Sequence, residues 1–193
     1  PGITHAPDAA EAAPCLAGNK LMRAFCAERG LPVLEAGKVI VARGEAELPT
    51  LEELHRRATA NGARVRFVDE KELAELEPMA RTSGKALHSL DTAAVDPKQV
   101  LRALRAELEG AGVRIVTGCR FLGRAGPGRV RTTAGEVSWS RLVNAAGAHC
   151  DEVARAFGVA EHYRPIPFKG ISRQPRPGAG FPVHGNIYPV PGT

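Results

Sequence analysis

One stretch near the C-terminal end restricts the possible architecture more than any other: Arg141-Leu142-Val143-Asn144-Ala145-Ala146-Gly147-Ala148-His149-Cys150-Asp151. Its apolar beginning predicts a short buried strand over 142–144. The small residues predict a tight turn, and a helix is expected from about Asp151. Small side chains and a glycine at a strand-to-helix turn let a ligand come close to the main chain, and helix-start amides favour negative charge. The flanking segments agree. Residues 119–122, 130–133 and 136–139 carry the pattern of an antiparallel meander, and Val153, Ala154 and Phe157 mark the inner side of a helix. The spaced glycines of 123–129 lead from strand to strand, so they are not a phosphate loop.

The rest of the chain alternates between helical and β patterns, giving an α/β (α+β) fold class. Leu16, Leu21, Met22, Phe25 and Cys26 fall at helical spacing before Gly30 and predict a core-facing stripe. A β-branched strand follows at 37–42. A helix beginning at Pro49 turns Leu51, Leu54 and Ala58 inward and closes at Asn61-Gly62. A strand over 64–68 leads to Asp69, which caps a short helix that Glu77-Pro78 ends; the acidic residues there read as a solvated face. His88 lies on a strand at 86–90. Asp96, Pro97 and Gln99 form a clear helix start, with Val100, Leu101, Leu104 and Leu108 expected to be buried. Further strands are expected at 112–117 and 166–171.

Composition excludes several function classes. The formal charge of +5 is spread along the chain with only two tyrosines and one tryptophan, which is not a basic patch interleaved with stacking aromatics, so nucleic acid is not an expected partner. A small anion suits the basic excess better. The four cysteines are far apart and form no Cys-x-x-Cys pair, which predicts free thiols in a reducing compartment. No apolar run reaches the ~20 residues of a membrane span, and no leader pattern is seen, so a cytoplasmic location is expected. His149, Cys150, Asp151 and Glu152 are adjacent at a helix start and point apart, so no metal site is expected.

Leu142-Val143-Asn144-Ala145-Ala146-Gly147 resembles the second flavin-contacting motif of FAD-dependent oxidoreductases of the D-amino-acid oxidase-like superfamily, and within it the L-2-hydroxyglutarate oxidase/dehydrogenase group. The resemblance implies that Asn144, Ala145, Ala146 and Gly147 contact FAD, and that Phe121 meets adenine through its main chain. It implies a three-stranded meander inserted into a partial Rossmann-like cofactor domain, and a mixed-sheet substrate domain. Residues 1–95 would then be substrate domain with a flavin-proximal start, 96–160 the late part of the FAD-binding domain, and 161–193 a return into the substrate domain.

Gly2-Ile3-Thr4-His5-Ala6 is similar to the family's stretch beside the flavin ring, which makes His5 the implied catalytic base. Pro7 replaces a family glycine there, the connection from His5 to Cys15 is shorter, and His149 stands where the family has tryptophan. Pro167-Phe168-Lys169-Gly170 resembles a family segment near the flavin and Ile187-Tyr188-Pro189-Val190-Pro191 a family strand, making Lys169 and Tyr188 the implied substrate-binding residues.

The implied reaction is oxidation of a small 2-hydroxy acid to the 2-oxo acid, with a membrane-associated electron acceptor among the allowed partners. Neither Gly-x-Gly-x-x-Gly nor the acidic ribose partner of a dinucleotide site stands in these 193 residues. The sequence therefore reads as an internal fragment, truncated at both ends, that alone binds FAD weakly or not at all. An amine or amino-acid oxidase of the same superfamily, and a non-catalytic remnant, are the alternatives.

Overall fold

The computed structural model describes residues 3–171, 176, 178, 180 and 182–191. In chain order the elements are α1 (Ala12–Glu28), β1 (Val33–Leu34), β2 (Lys38–Val41), α2 (Leu48–Ala60), β3 (Val65–Asp69), α3 (Glu70–Leu76), β4 (Lys85–Ser89), β5 (Ala94–Val95), α4 (Pro97–Gly110), β6 (Phe121–Gly126), β7 (Arg129–Thr132), β8 (Gly135–Ser138), α5 (Cys150–Ala156) and β9 (Asn186–Pro189). They fall into two compact units, residues 1–110 with 176–193, and residues 111–175.

The first unit is built on a four-stranded mixed sheet ordered β3-β4-β2-β9. β9 runs parallel to β2, and the other pairs are antiparallel. Alternation along β2 divides its side chains between two apolar cores. Ile40 and Leu87 join Leu51, Leu54 and Ala58 of α2, along with Ile3 and Val190. Val39, Val41, Val68 and Ala86 join Leu73 of α3 and Ala80 on the other face. The apolar stripe of α2 thus packs as its spacing requires.

Local chemistry sets the helix starts. The Asp69 carboxylate accepts from the Glu72 amide at 2.8 Å, and Asp96 accepts from the Lys98 amide at 2.8 Å and from the Gln99 side chain at 3.0 Å. A two-stranded pair, β1 with β5, completes this unit.

The second unit holds the antiparallel meander β6-β7-β8. Val130 is buried, and Phe157 just beyond α5 packs between Phe121 and Trp139, with ring centres 6.2 and 6.1 Å away. The glycines of 123–129 lie within the β6–β7 hairpin, as a strand-to-strand connection demands.

Three expected strands do not form. Residues 112–117, 142–144 and 166–171 are irregular, with Val143 86 %, Phe168 91 % and Ile171 82 % exposed. Their apolar, β-branched composition suits a strand, but among the described residues no neighbouring strand offers them a ladder.

Burial of the helices is also less complete than expected. On α4 only Val100 is buried, and Leu101, Leu104 and Leu108 are exposed. On α1, Leu21 and Met22 are exposed while Cys26 is buried. Leu21, Met22, Phe25, Val100 and Leu104 line an apolar groove of about 490 Å³ between the two helices instead of a closed core.

The acidic run near α3 is solvated except at its end. Glu77 is buried at 3 % exposure, because its carboxylate is used up by the main chain of a distant segment. It accepts from the His184 amide at 3.0 Å and from the Gly185 amide.

Candidate functional site

The turn at 144–147 is held by its own asparagine. The Asn144 side-chain oxygen accepts from the Ala146 amide at 3.3 Å, while its amide donates to the Cys150 carbonyl at 2.7 Å. One side chain therefore ties the turn to the first residue of α5. Gly147 follows at φ +56°, in the left-handed region, where only glycine is unstrained. A single 3₁₀ turn over Gly147–His149 then leads into α5.

Residues 144–147 are all solvent-exposed, and a β-carbon built at Gly147 would meet nothing within 4 Å. Beside them lies a cavity of about 420 Å³ lined by Arg120, Phe121, Ala146, His149, Glu152 and Val153. A smaller one of about 260 Å³ is lined by Trp139, Leu142, Asn144, Val153, Ala154, Phe157 and Val159. The main chain is thus reachable past small side chains, and the larger cavity combines the apolar Phe121, Ala146 and Val153 with the polar Arg120, His149 and Glu152.

Phe121 and Ala146 share the larger cavity although they are far apart in sequence. The main chain of β6 is fixed there by its pairing with β7 and by the Arg120 amide, which donates to the Thr133 hydroxyl at 2.9 Å. Ala145 and Gly147 stand on the same exposed turn. His149 lines the cavity with its Nδ1 3.4 Å from Glu152.

The other expected site residues lie elsewhere. Lys169 belongs to the 111–175 unit, on an exposed irregular stretch. His5 and Tyr188 belong to the first unit. The His5 carbonyl accepts from the Asn61 side chain at 3.1 Å, and the imidazole is half-buried. Tyr188 is half-exposed on β9, with its ring 5.2 Å below the ammonium of Lys38. The sequence reading passed over Lys38. The available signal was a charged residue heading the otherwise apolar run Lys38-Val39-Ile40-Val41.

Among the described residues no group of three or more His, Cys, Asp or Glu side chains converges as metal ligands, and no helix is long and apolar enough to cross a membrane.

Comparison with known proteins places this geometry in context. A family model described as FAD dependent oxidoreductase matches residues 1–192. Among similar proteins are L-2-hydroxyglutarate dehydrogenases from Bos taurus (29% identical, over 98% of this chain and 44% of the relative), Caenorhabditis elegans (32%, 98% and 46%) and Escherichia coli (27%, 98% and 46%). The chain spans about half the length of the curated relatives it matches.

Among solved structures, an L-proline dehydrogenase from P. horikoshii superposes at a TM-score of 0.73 with 16% identity, over 80% of this chain and 43% of that one. Glycine oxidase from Geobacillus kaustophilus gives 0.72 with 20% identity (81% and 45%). L-alpha-glycerophosphate oxidase from Mycoplasma pneumoniae, solved with FAD bound, gives 0.71 with 24% identity (80% and 44%). These three show a shared fold. The match along nearly its whole length shows that the chain belongs to the family of FAD-dependent oxidoreductases.

Proposed function

We propose that this chain is a section of a flavoenzyme that oxidises a small anionic 2-hydroxy acid, of the L-2-hydroxyglutarate kind, to the 2-oxo acid. The observation that supports this most is the similarity to L-2-hydroxyglutarate dehydrogenases over 98% of the chain in a mammal, a nematode and a bacterium. In this reading 96–160 is the late part of the FAD-binding domain, and 1–95 with 161–193 belong to the substrate domain. The exposed segments 112–117 and 142–144 are then strands of a cofactor-domain sheet that this section does not complete.

FAD, when bound, supplies the hydride acceptor, chemistry that no side chain offers. The chain's own residues bind and orient. Asn144 shapes the turn, so that the main chain at Ala145, Ala146 and Gly147 meets the cofactor, and the backbone of Phe121 meets adenine. His5 accepts the hydroxyl proton, a role that suits an imidazole near neutral pH. Lys169 and Tyr188 hold the acid. A membrane-associated electron acceptor is among the partners this reading allows, and the location proposed is cytoplasmic, although several relatives are named as mitochondrial.

Anaerobic titration of the intact, FAD-loaded enzyme that carries this section tests the assignment. L-2-hydroxyglutarate is expected to bleach the flavin absorption, and His5→Ala to slow the bleaching about a hundredfold while leaving FAD bound. Bleaching by glycine or sarcosine alone would support an amine oxidase instead, which the glycine oxidase and proline dehydrogenase folds keep open. Bleaching by none of them would mean a non-catalytic remnant.

A further inference from the structure

We propose that Lys38 is the cation that takes a substrate carboxylate on the sheet beside Tyr188, an inference that rests on the acid-oxidising reading above. In the parallel pair of β2 and β9, Lys38 stands opposite Asn186 and Ile40 opposite Tyr188. Alternation therefore puts Lys38, Ile40 and Tyr188 on one face of the sheet. There the Lys38 ammonium lies 5.2 Å from the centre of the Tyr188 ring.

Other basic side chains of this unit are already paired: Arg23 with Glu35, Arg64 with Asp91, and Lys85 with Glu52. Lys38 has no carboxylate within ion-pair distance among the described residues; its one recorded partner is a ring face. Its ammonium is half-buried, and burial pushes its pKa below the ordinary lysine value. A cation that has lost water and gained no counter-charge interacts more strongly with an incoming anion than an exposed one does.

The same face and the same end of the sheet carry the proposed base. Ile3 packs with Ile40 and Leu87, and His5, two residues on, gives its carbonyl to Asn61 just past α2. The chain from Asn61 enters β3 at Val65, and Val65, Ser89, Lys38 and Asn186 form one row across the sheet. Lys38 thus stands in the row that borders the His5–Asn61 contact. The ligand class that suits it is a carboxylate, and a dicarboxylate gains most.

Nuclear magnetic resonance on this chain provides the test. Reductive methylation with 13C leaves the lysine charge intact, and Lys38→Arg identifies the Lys38 signal. 3-Fluorotyrosine reports on Tyr188, one of only two tyrosines. L-2-hydroxyglutarate, with sodium chloride as the ionic-strength control, is expected to move both signals saturably. Lys38→Met should weaken the Tyr188 response about tenfold, and Lys38→Arg should largely keep it.

A Tyr188 response undiminished in Lys38→Met overturns the proposal and leaves the hydroxy-acid reading standing. A saturable Lys38 response to glycine and not to L-2-hydroxyglutarate upholds the carboxylate role and removes the hydroxy-acid reading. A Lys38 signal that neither acid moves overturns the proposal, whatever flavin bleaching shows. Unfolding midpoints of the variants separate lost binding from lost structure.

Discussion

Gly37 links backbone shape to core packing at a single residue. It sits at φ +69°, and a β-carbon there would lie 2.8 Å from Nε2 of the buried His88 and 3.1 Å from the Ser89 carbonyl. Neither neighbour yields easily: one is a ring packed on the sheet, and the other is main chain. Gly37→Ala is therefore expected to lower stability by about 2–4 kcal/mol, the sum of left-handed strain and a forced shift, as read from urea unfolding.

At the surface, charge sets the pH response. Glu53 is pulled down to a pKa of about 2 from 4.5 by hydrogen bonds from Arg56 and then Arg57. A carboxylate depressed in the folded state contributes stability that is complete above 4.5 and is lost as pH falls through about 2. The stability gap between the wild type and Glu53→Gln should close over that interval. The Glu53 carboxyl carbon should titrate near its lower end by NMR.

Between elements, Glu77 is the fastening of β9. It ends α3, yet its two oxygens receive the amides of His184 and Gly185, just before the strand that pairs with β2. Glu77→Gln leaves one amide without an acceptor in a buried position, a cost of about 2 kcal/mol. Amide hydrogen exchange at Ile187 and Tyr188 should speed up, while exchange in the middle of α2 stays as it was.

The same contrast between near and distant partners explains what could be read from the sequence. The caps at Asp69 and Asp96, the stripe of α2 and the meander depend on patterns a few residues long, and they form where expected. Segments 112–117, 142–144 and 166–171 have strand composition, but a strand exists only with a neighbour, and composition does not name one. Leu101, Leu104 and Leu108 repeat the lesson: periodicity shows that a face is apolar and says nothing of what covers it. Glu77 was unreadable for the matching reason, since its partners are more than a hundred residues away.

For the molecule as a whole, the implied cofactor residues share one unit, while the implied substrate residues are divided between the two. Phe121 and 144–147 lie in the 111–175 unit, as does Lys169, and His5 and Tyr188 lie in the other. The motif at 144–147 was legible because small residues and a left-handed glycine leave a local signature. The cavity it shares with Phe121 was not, because it depends on the meander folding back against the turn. The central claim is that this exposed turn receives FAD. It is tested most directly by adding millimolar FAD to the 15N-labelled chain, which should purify without flavin colour, and following the amide signals. The account predicts shifts concentrated at Phe121 and at Asn144, Ala145, Ala146 and Gly147; shifts confined to the groove between α1 and α4, or none at all, would contradict it.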